Sequence, residues 1–203
     1  MKNIFEAIYD NNTWSLGSGF GSVQDDLWPY LEFLSHLIKE MRPDTVLDLG
    51  CGYFAPYQKV EWRNIHYLGI DVSQQCINAN QPYAAERRRF ICEDWLQLKD
   101  MPKADLVICK DVFQHWSHAE VCDGLLKLTG YQYCLITNSV RLGNRTINCD
   151  INTGDVRPLN LLIDPYCLNA RDVLYYKVKV NPESDTKLSF TWEPKFYPFT
   201  CMK

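Results

Sequence analysis

The sequence predicts an α/β fold in which a doubly wound, mostly parallel sheet of seven strands ends in an antiparallel hairpin. From residue 44 to residue 140, short apolar strand-like runs alternate with helical segments, which is the order of parallel βαβ units. Two further strand-like runs, 173–180 and 187–193, are joined by the turn-forming stretch NPESDT. In such open sheets the ligand binds beyond the carboxyl ends of the strands.

The elements follow in order along the chain. Residues 1–23 are expected to be irregular, and the Gly- and Ser-rich stretch TWSLGSGFGS suits either a flap or a plain coil. DDLWPYLEFLSHLIKEM has the apolar spacing of an amphipathic helix. Five strands are predicted next, in the order TVLDLG, HYLGID, RRFIC, ADLVICK and YQYCLITN. Ser73 and the capping box SHAE (117–120) each begin a helix. Residues 141–171 show no strong period, and a loop of that length is usually functional or disordered.

Composition and charge narrow the classes of partner. The 203 residues are 46% hydrophobic and carry a net charge of −4, so the protein offers no general attraction for a phosphate backbone. A DNA partner is therefore not expected, whereas RNA stays open. A homodimer also stays open.

Cysteine usage indicates a reducing compartment. The nine cysteines occur singly, no C-x-x-C is present, and neither Cys nor His has the spacing of a zinc ligand set. We therefore expect buried, reduced thiols, no metal and a cytoplasmic location. The start of the chain lacks the apolar core of a signal peptide, and no apolar run approaches membrane-spanning length, so no membrane contact is expected.

The stretch VLDLGCGYF (46–54) runs from a strand into a glycine turn that allows close approach of a ligand. Gly50, Gly52 and Ala55 fit the dinucleotide fingerprint G-x-G-x-x-A. Asp48 and the same two glycines fit the D-x-G-x-G turn of S-adenosylmethionine (SAM) enzymes. Glycine-rich turns also occur without ligands, so the turn alone leaves the cofactor open.

Two later strands also end in acids, and these favour SAM. Asp71 is placed to accept hydrogen bonds from ribose hydroxyls, and Asp94 to accept the adenine amino group beside Trp95. Asp48 would repel a pyrophosphate at the adjacent turn but attract the ammonium group of SAM. Three successive strand-end acids therefore suit a cationic nucleoside.

The segments VLDLGCG, YLGIDVS, FICEDW and ADLVICKDVFQHWS together resemble the successive motifs of class I SAM-dependent methyltransferases. TWSLGSG and the later NCDINTGDVRPLNL resemble a bacterial or phage-type subgroup of small methyltransferases. The resemblance to the class I motifs covers about residues 44–140 and implies a Rossmann-like methyltransferase fold with S-adenosyl-L-methionine as cofactor. It departs from the fuller pattern at Phe54, where many members have a third glycine. It implies a set of cofactor contacts along the methionine, ribose and adenine parts: Asp48, Gly50, Cys51, Gly52, Asp71, Val72, Asp94, Trp95, Lys110 and Trp14.

The segment CKDVFQHW stands where the reactive sulfonium is expected. Methyl transfer is an in-line displacement, so most of the rate can come from holding the acceptor aligned and excluding water. His115 is the candidate base because an unperturbed imidazole titrates near neutrality, although the resemblance equally allows it to support the loop and cofactor. Asp111, the second catalytic candidate, is expected to face the site and to position substrate or cofactor.

We expect methyl transfer to oxygen or nitrogen of a small or medium-sized acceptor, such as a carbohydrate, metabolite or amino-acid derivative. Two alternatives are an NAD-dependent oxidoreductase and an inactive methyltransferase-like binding subunit. The chain is interpreted as one domain, with an N-terminal flap and helix (1–43), a SAM-binding core (44–140), and acceptor-side loops with the terminal hairpin (141–203). Core packing and solvent exposure compete with acceptor binding as roles for four candidate acceptor contacts: Trp116, Asn138, Arg141 and Arg145.

Overall fold

The structure, a computed structural model, describes residues 2–11, 13, 24–179 and 184–194. Trp14 and nearly all of the expected flap lie outside these residues. The helices are α1 (Lys2–Asp10), α2 (Gln24–Met41), α3 (Gln74–Asn80) and α4 (His118–Leu128). The strands are β1 (Thr45–Leu49), β2 (His66–Asp71), β3 (Arg88–Cys92), β4 (Leu106–Lys110), β5 (Tyr133–Leu142), β6 (Ala170–Lys179) and β7 (Ser184–Trp192).

The seven strands form one sheet in the order β3-β2-β1-β4-β5-β7-β6. β1 to β5 are parallel, whereas β7 pairs antiparallel with both β5 and β6. The predicted α/β fold with its terminal antiparallel hairpin is confirmed. Short single-turn helices follow β1, β3 and β4, and this places several loops at the carboxyl ends of neighbouring parallel strands.

Each face of the sheet has its own apolar layer, because successive side chains of a strand point to opposite faces. Leu47, Val107 and Cys109 pack with Leu125 of α4 on one face. On the other, Val46 and Ile108 pack with α2. Asp48 and Lys110 alternate with the first set, so they lie on the α2 side of the sheet.

The expectation of an irregular N-terminus is wrong for residues 2–10, which form α1. Phe5 and Tyr9, one helical turn apart, are buried, and Phe5 belongs to the apolar layer that contains α4. Ile8, between them on the same stripe, packs against that layer. The Gly- and Ser-rich stretch that follows drew attention away from this short i, i+3, i+4 pattern.

The segment between β5 and β6 contains no regular element but is bonded to the core. The amide of Leu159 donates to the carbonyl of Ser139 (2.6 Å), and the side chain of Asn148 donates to the carbonyl of Asn160 (2.9 Å). Arg157, only 1% exposed, donates from Nη1 to the carbonyl of Trp116. The segment thus folds back over the loop that follows β4. Of the helices described, none has the length and apolar character needed to cross a membrane.

Candidate active site

Two adjoining cavities open at the carboxyl ends of the parallel strands. Both are lined by Tyr9, Gly50 and Asp111. The remaining lining of the first cavity is Phe5, Asp71, Val72, Asp94, Trp95, Val112, His115 and Trp116. The remaining lining of the second cavity is Leu27, Cys51, Gly52, Tyr53, Pro56, Tyr57 and Lys110.

The turn after β1 brings the backbone to the cavity walls. Gly50 has a φ of +72°, and a Cβ there would lie 2.3 Å from Cγ2 of Val112, so only glycine fits without displacing the loop after β4. The amides of Gly50 and Cys51 both donate to the carbonyl of Ile70, at 2.8 and 3.0 Å. The turn is therefore fixed against the end of β2, with Gly50 lining both cavities.

Asp71 is held in the wall of the first cavity by backbone donors. Its Oδ2 accepts from the amide of Gly52 (2.8 Å) and its Oδ1 from the amide of Ser73 (2.9 Å). Burial raises the pKa of this carboxyl, and the backbone hydrogen bonds act against that rise. Each carboxylate oxygen has a further lone pair, so Asp71 keeps the capacity to accept hydrogen bonds from a ligand.

Asp94, Trp95 and Val72 line the same cavity. Oδ1 of Asp94 accepts from the amide of Leu96 (3.2 Å) and so caps the turn after β3. Trp95 is buried, with its ring centroid 5.0 Å from that of Trp116. The cavity thus combines the carboxylates of Asp71 and Asp94 with a broad aromatic wall, which fits a flat, donor-rich base and a ribose.

Asp48 does not belong to the lining of either cavity. It is 1% exposed, and its Oδ2 accepts a hydrogen bond from the Tyr67 hydroxyl at 2.6 Å. Burial raises the pKa of this carboxyl to about 7. Its effect on a ligand would therefore be electrostatic and exerted from the adjacent strand.

Asp111, in the lining of both cavities, has its two carboxylate oxygens held by different lysines. Oδ2 accepts from Nζ of Lys110, and Oδ1 accepts from Nζ of Lys187 at 2.8 Å. Lys187 also contacts Asp185 (3.1 Å) and donates to Oγ of Ser139 (2.7 Å). Burial opposes the charged form of Asp111, but the two ammonium groups outweigh it and hold the pKa of this carboxyl below its usual range.

Sequence reasoning missed Lys187 and Asp185. They belong to a set of alternate polar residues on β7 that are all buried on the α2 side of the sheet: Asp185, Lys187, Ser189 and Thr191. Alternating polar and apolar residues normally indicate a strand with one solvated face. Lysine followed by the hydroxyl residues Ser189 and Thr191 was the available signal, but only the tertiary fold shows that this face is covered.

His115 lies in the lining of the first cavity with both ring nitrogens engaged. Nδ1 is 2.9 Å from the carbonyl oxygen of Asp155, and Nε2 is 3.2 Å from the amide nitrogen of the Gln114 side chain. Burial lowers the pKa of the imidazole to about 4. Gln114, which sequence reasoning also missed, is buried and contacts His115 directly.

Of the four candidate acceptor contacts, Trp116 alone lines a cavity. Asn138 is 2% exposed on β5, and neither atom of its amide has a hydrogen-bond partner among the described residues. Arg141 and Arg145 are exposed, and Arg145 donates to the carbonyl of Val156 (2.8 Å). The fold therefore brings together the cofactor candidates more closely than the acceptor candidates.

Residues 46–129 match a family model described as a methyltransferase domain. Residues 46–129 are therefore a methyltransferase domain, and the described residues have the fold of class I SAM-dependent methyltransferases. S-Adenosyl-L-methionine is the cofactor of this domain, and the acids and aromatic rings of the first cavity fit its nucleoside. A comparison with curated proteins gave no match.

Solved structures share the methyltransferase fold at low sequence identity. The 1,6-didemethyltoxoflavin-N1-methyltransferase of Burkholderia thailandensis is 15% identical with a TM-score of 0.67, over 95% of this chain and 86% of that chain. Magnesium protoporphyrin IX methyltransferase of Synechocystis PCC 6803 is 16% identical with a TM-score of 0.62, over 95% and 100%. TehB of Haemophilus influenzae is 12% identical with a TM-score of 0.61, and the match covers 81% of this chain but only 62% of TehB.

Proposed function

We propose that this methyltransferase transfers a methyl group to an oxygen or nitrogen atom of a small or medium-sized acceptor, such as a carbohydrate, a metabolite or an amino-acid derivative. The observation that carries the proposal is the pair of adjoining cavities at the strand ends, one lined by strand-end acids and aromatic rings and the other by the glycine turn. When bound, SAM supplies an electrophilic methyl group on a sulfonium. The residues of the chain bind SAM and the acceptor, orient them for in-line transfer and exclude water from the reacting atoms.

The first cavity is proposed as the nucleoside site. Asp71 would accept from the ribose hydroxyls through the lone pairs that Gly52 and Ser73 leave available. Asp94 would accept from the adenine amino group, with Val72 and Trp95 as apolar walls. These contacts use groups that are already fixed by backbone hydrogen bonds, so little conformational entropy is lost on binding.

The second cavity is proposed as the methionine site. The backbone from Gly50 to Gly52 lines it, with Cys51 between the two glycines, and Lys110 provides a cation for a carboxylate. Asp48, buried behind this turn, favours the ammonium group by its charge. Trp14 stays a proposed cofactor contact from the chain outside the described residues.

Asp111 and His115 are proposed to stand beside the reacting atoms, because Asp111 lines both cavities and His115 lines the first. Held ionised by two lysines, Asp111 positions its neighbours and does not take up protons. Trp116 and Asn138 are proposed as acceptor contacts, and the Asn138 assignment is supported by its buried amide, which has no hydrogen-bond partner within the part of the chain that the structure describes. Arg141 and Arg145 are proposed as outer contacts for anionic groups of an acceptor.

Two of the structurally similar proteins support a small-molecule acceptor, since they are a 1,6-didemethyltoxoflavin N1-methyltransferase and a magnesium protoporphyrin IX methyltransferase. The eight cysteines among the described residues are all free thiols, which supports the proposed cytoplasmic location. The whole chain is proposed to act as one domain, with the segment after residue 140 on the acceptor side.

Calorimetric titration of the purified protein with S-adenosylhomocysteine, SAM and NADH tests the proposed function. We expect S-adenosylhomocysteine and SAM to bind and NADH to give no heat of binding. Tighter binding of NADH would establish the oxidoreductase alternative. Tight SAM binding with transfer appearing only after a second protein is added would instead favour the binding-subunit alternative.

A further inference from the structure

A directional chain of hydrogen bonds determines which nitrogen of His115 carries the proton. The backbone amide of Ser139 lies 2.6 Å from one atom of the Gln114 side-chain amide. Because a backbone N–H only donates, that atom is the oxygen Oε1. The NH2 group of Gln114 therefore faces Nε2 of His115 at 3.2 Å, and this ring nitrogen must accept.

The other end of the chain fixes the same tautomer. Nδ1 of His115 lies 2.9 Å from the carbonyl oxygen of Asp155, which only accepts. Nδ1 therefore carries the hydrogen. The series of hydrogen bonds begins at a backbone amide, which can only donate, and ends at a backbone carbonyl, which can only accept. The donors and acceptors along it therefore cannot be reversed.

A second proton on His115 would disrupt this chain. Protonated Nε2 would point its hydrogen at the NH2 group of Gln114. Rotation of the Gln114 amide would relieve that contact but would turn the NH2 group toward the amide of Ser139. Gln114 is 4% exposed and Ser139 is 2% exposed, and a buried donor without an acceptor costs about 1–3 kcal/mol. Either arrangement therefore opposes the imidazolium.

The charged groups around His115 act in both directions. Asp111 favours an imidazolium, whereas Lys187 and Arg157 oppose it, and burial, the largest effect, also opposes it. The carboxylate of Asp111 is itself paired with Lys110 and Lys187. The hydrogen bond to the Asp155 carbonyl also favours the imidazolium, but burial is the largest effect, and the pKa of the ring is lowered overall.

Other titratable groups of the second cavity are equally poor proton acceptors. Burial raises the pKa of Tyr53 to about 12 and raises that of Tyr57 well above its usual value, so both phenols stay protonated. Asp71 and Asp94 lie at the nucleoside end, away from the proposed reacting atoms. The described lining of the two cavities thus offers no base beside the proposed position of the methyl group.

We propose that the acceptor presents an atom that carries no proton at neutral pH, a carboxylate oxygen or an unprotonated aromatic ring nitrogen, and that Gln114 is the positioning residue that keeps His115 from acting as a base. This inference rests on the proposed function, since it uses the location of His115 and Asp111 beside the reacting atoms. It narrows the acceptor class and excludes alcohols that must lose a proton in the transfer step.

The transfer then balances without a base. A lone pair of the carboxylate oxygen forms the bond to the methyl carbon, the carbon–sulfur bond breaks, and its electron pair stays on sulfur. Carboxylate and sulfonium become a neutral methyl ester and a neutral thioether. No proton is released, whereas an alcohol acceptor would leave one proton that a base must receive.

The first test is a nitrogen-15 NMR titration of the histidine side chains in the intact protein, from about pH 5.5 to about pH 8, with and without S-adenosylhomocysteine. We expect the signals of His115 to show the neutral Nδ1–H tautomer over the whole range. The exposed His36 and His66 serve as internal controls of the measurement. A midpoint for His115 above about pH 6, or the Nε2–H tautomer, would overturn the proposal.

Gln114→Glu is the matched variant, because a carboxylate has the same shape and accepts from both the Ser139 amide and an imidazolium. We expect the pKa of His115 to rise by about 1–2 units, with Gln114→Met as the control that removes both hydrogen bonds without adding a charge. An unchanged His115 titration in Gln114→Glu would show that Gln114 does not set the protonation state.

Substrate preference tests the proposed acceptor class directly and does not depend on the titration of His115. Transfer of a radiolabelled methyl group from SAM is compared for phenylacetate, 2-phenylethanol and nicotinamide. We expect products from the acid or the ring nitrogen, and faster transfer to the alcohol would overturn the proposal. Binding of S-adenosylhomocysteine in the same preparation tests the proposed function separately, so an alcohol preference with intact binding would refute only this inference.

Discussion

The carboxylates at the two ends of the paired cavities are held in opposite ways. At the proposed nucleoside end, Asp71 and Asp94 accept from backbone amides and line the first cavity. Where the two cavities meet, the two oxygens of Asp111 are held by the ammonium groups of Lys110 and Lys187. Backbone donors fix a carboxylate without cancelling its charge, whereas side-chain cations neutralise it. The comparison teaches that acids with similar positions at strand ends serve a ligand in one region and the fold in the other.

The sharpest way to break this comparison is to remove a cation from the second region. Lys187→Met leaves Asp111 and Asp185 buried without their shared ammonium group, and we expect the free energy of unfolding to fall by about 3–5 kcal/mol. Urea unfolding at neutral pH measures the change. Lys177→Met, at an exposed position on β6, is the control and should change stability by no more than about 0.5 kcal/mol. A loss below about 1 kcal/mol at Lys187 would mean that the network contributes little to the fold.

In the proposed nucleoside site, neutralising a carboxylate should weaken ligand binding and leave most of the stability intact. Asp71→Asn keeps the shape and one acceptor oxygen but removes the charge that strengthens the hydrogen bonds from ribose, and its NH2 group also replaces one acceptor of the Gly52 and Ser73 amides. We expect a loss of about 1.5–3 kcal/mol in the binding of S-adenosylhomocysteine, which is roughly a 10- to 150-fold rise in Kd, measured by calorimetry. Asp100→Asn changes an exposed carboxylate and should leave Kd unaltered. Unchanged affinity in Asp71→Asn would remove Asp71 from the nucleoside site.

The ionisation of Asp48 should have a smaller effect, a pH dependence of the affinity for SAM. Its pKa of about 7 means that it is mostly protonated at pH 6 and mostly ionised at pH 8, and only the ionised form attracts the ammonium group of SAM. Affinity for SAM should therefore increase with pH, by about tenfold between pH 6 and pH 8. Calorimetry in buffers of different ionisation enthalpy measures both the affinity and the proton released on binding. Asp48→Asn should remove the pH dependence, and a slope that persists in this variant would assign it to another group.

The parallel core was predictable because its signals are local. Alternation and apolar runs locate β1 to β5, and the capping box at Ser117 and Glu120 locates α4. The positions of the candidate cofactor acids also follow from the sequence: Asp48 is the penultimate residue of β1, Asp71 ends β2, and Asp94 comes two residues after β3.

The features that sequence reasoning missed depend on contacts between distant segments. Lys187 is buried only because β7 inserts between β5 and β6 and its polar face is covered. The role of Gln114 depends on the backbone amide of Ser139 on β5 and, through His115, on the carbonyl of Asp155 in the segment that follows β5. Neither residue type nor spacing encodes the direction of a hydrogen bond, and that direction becomes readable only when both ends of the chain of bonds are in place.

The segment after β5 contacts α1 at Gly154, and this contact connects Gly154 to the wall of the first cavity. Gly154 has a φ of +99°, and a Cβ there would lie 2.7 Å from the Ile4 side chain of α1. A side chain there would strain the backbone and crowd Ile4 and Ile8 of α1, the helix that also supplies Phe5 and Tyr9 to the first cavity. A substitution at this glycine would therefore reach the wall of the first cavity through α1, from a position that does not itself line that cavity.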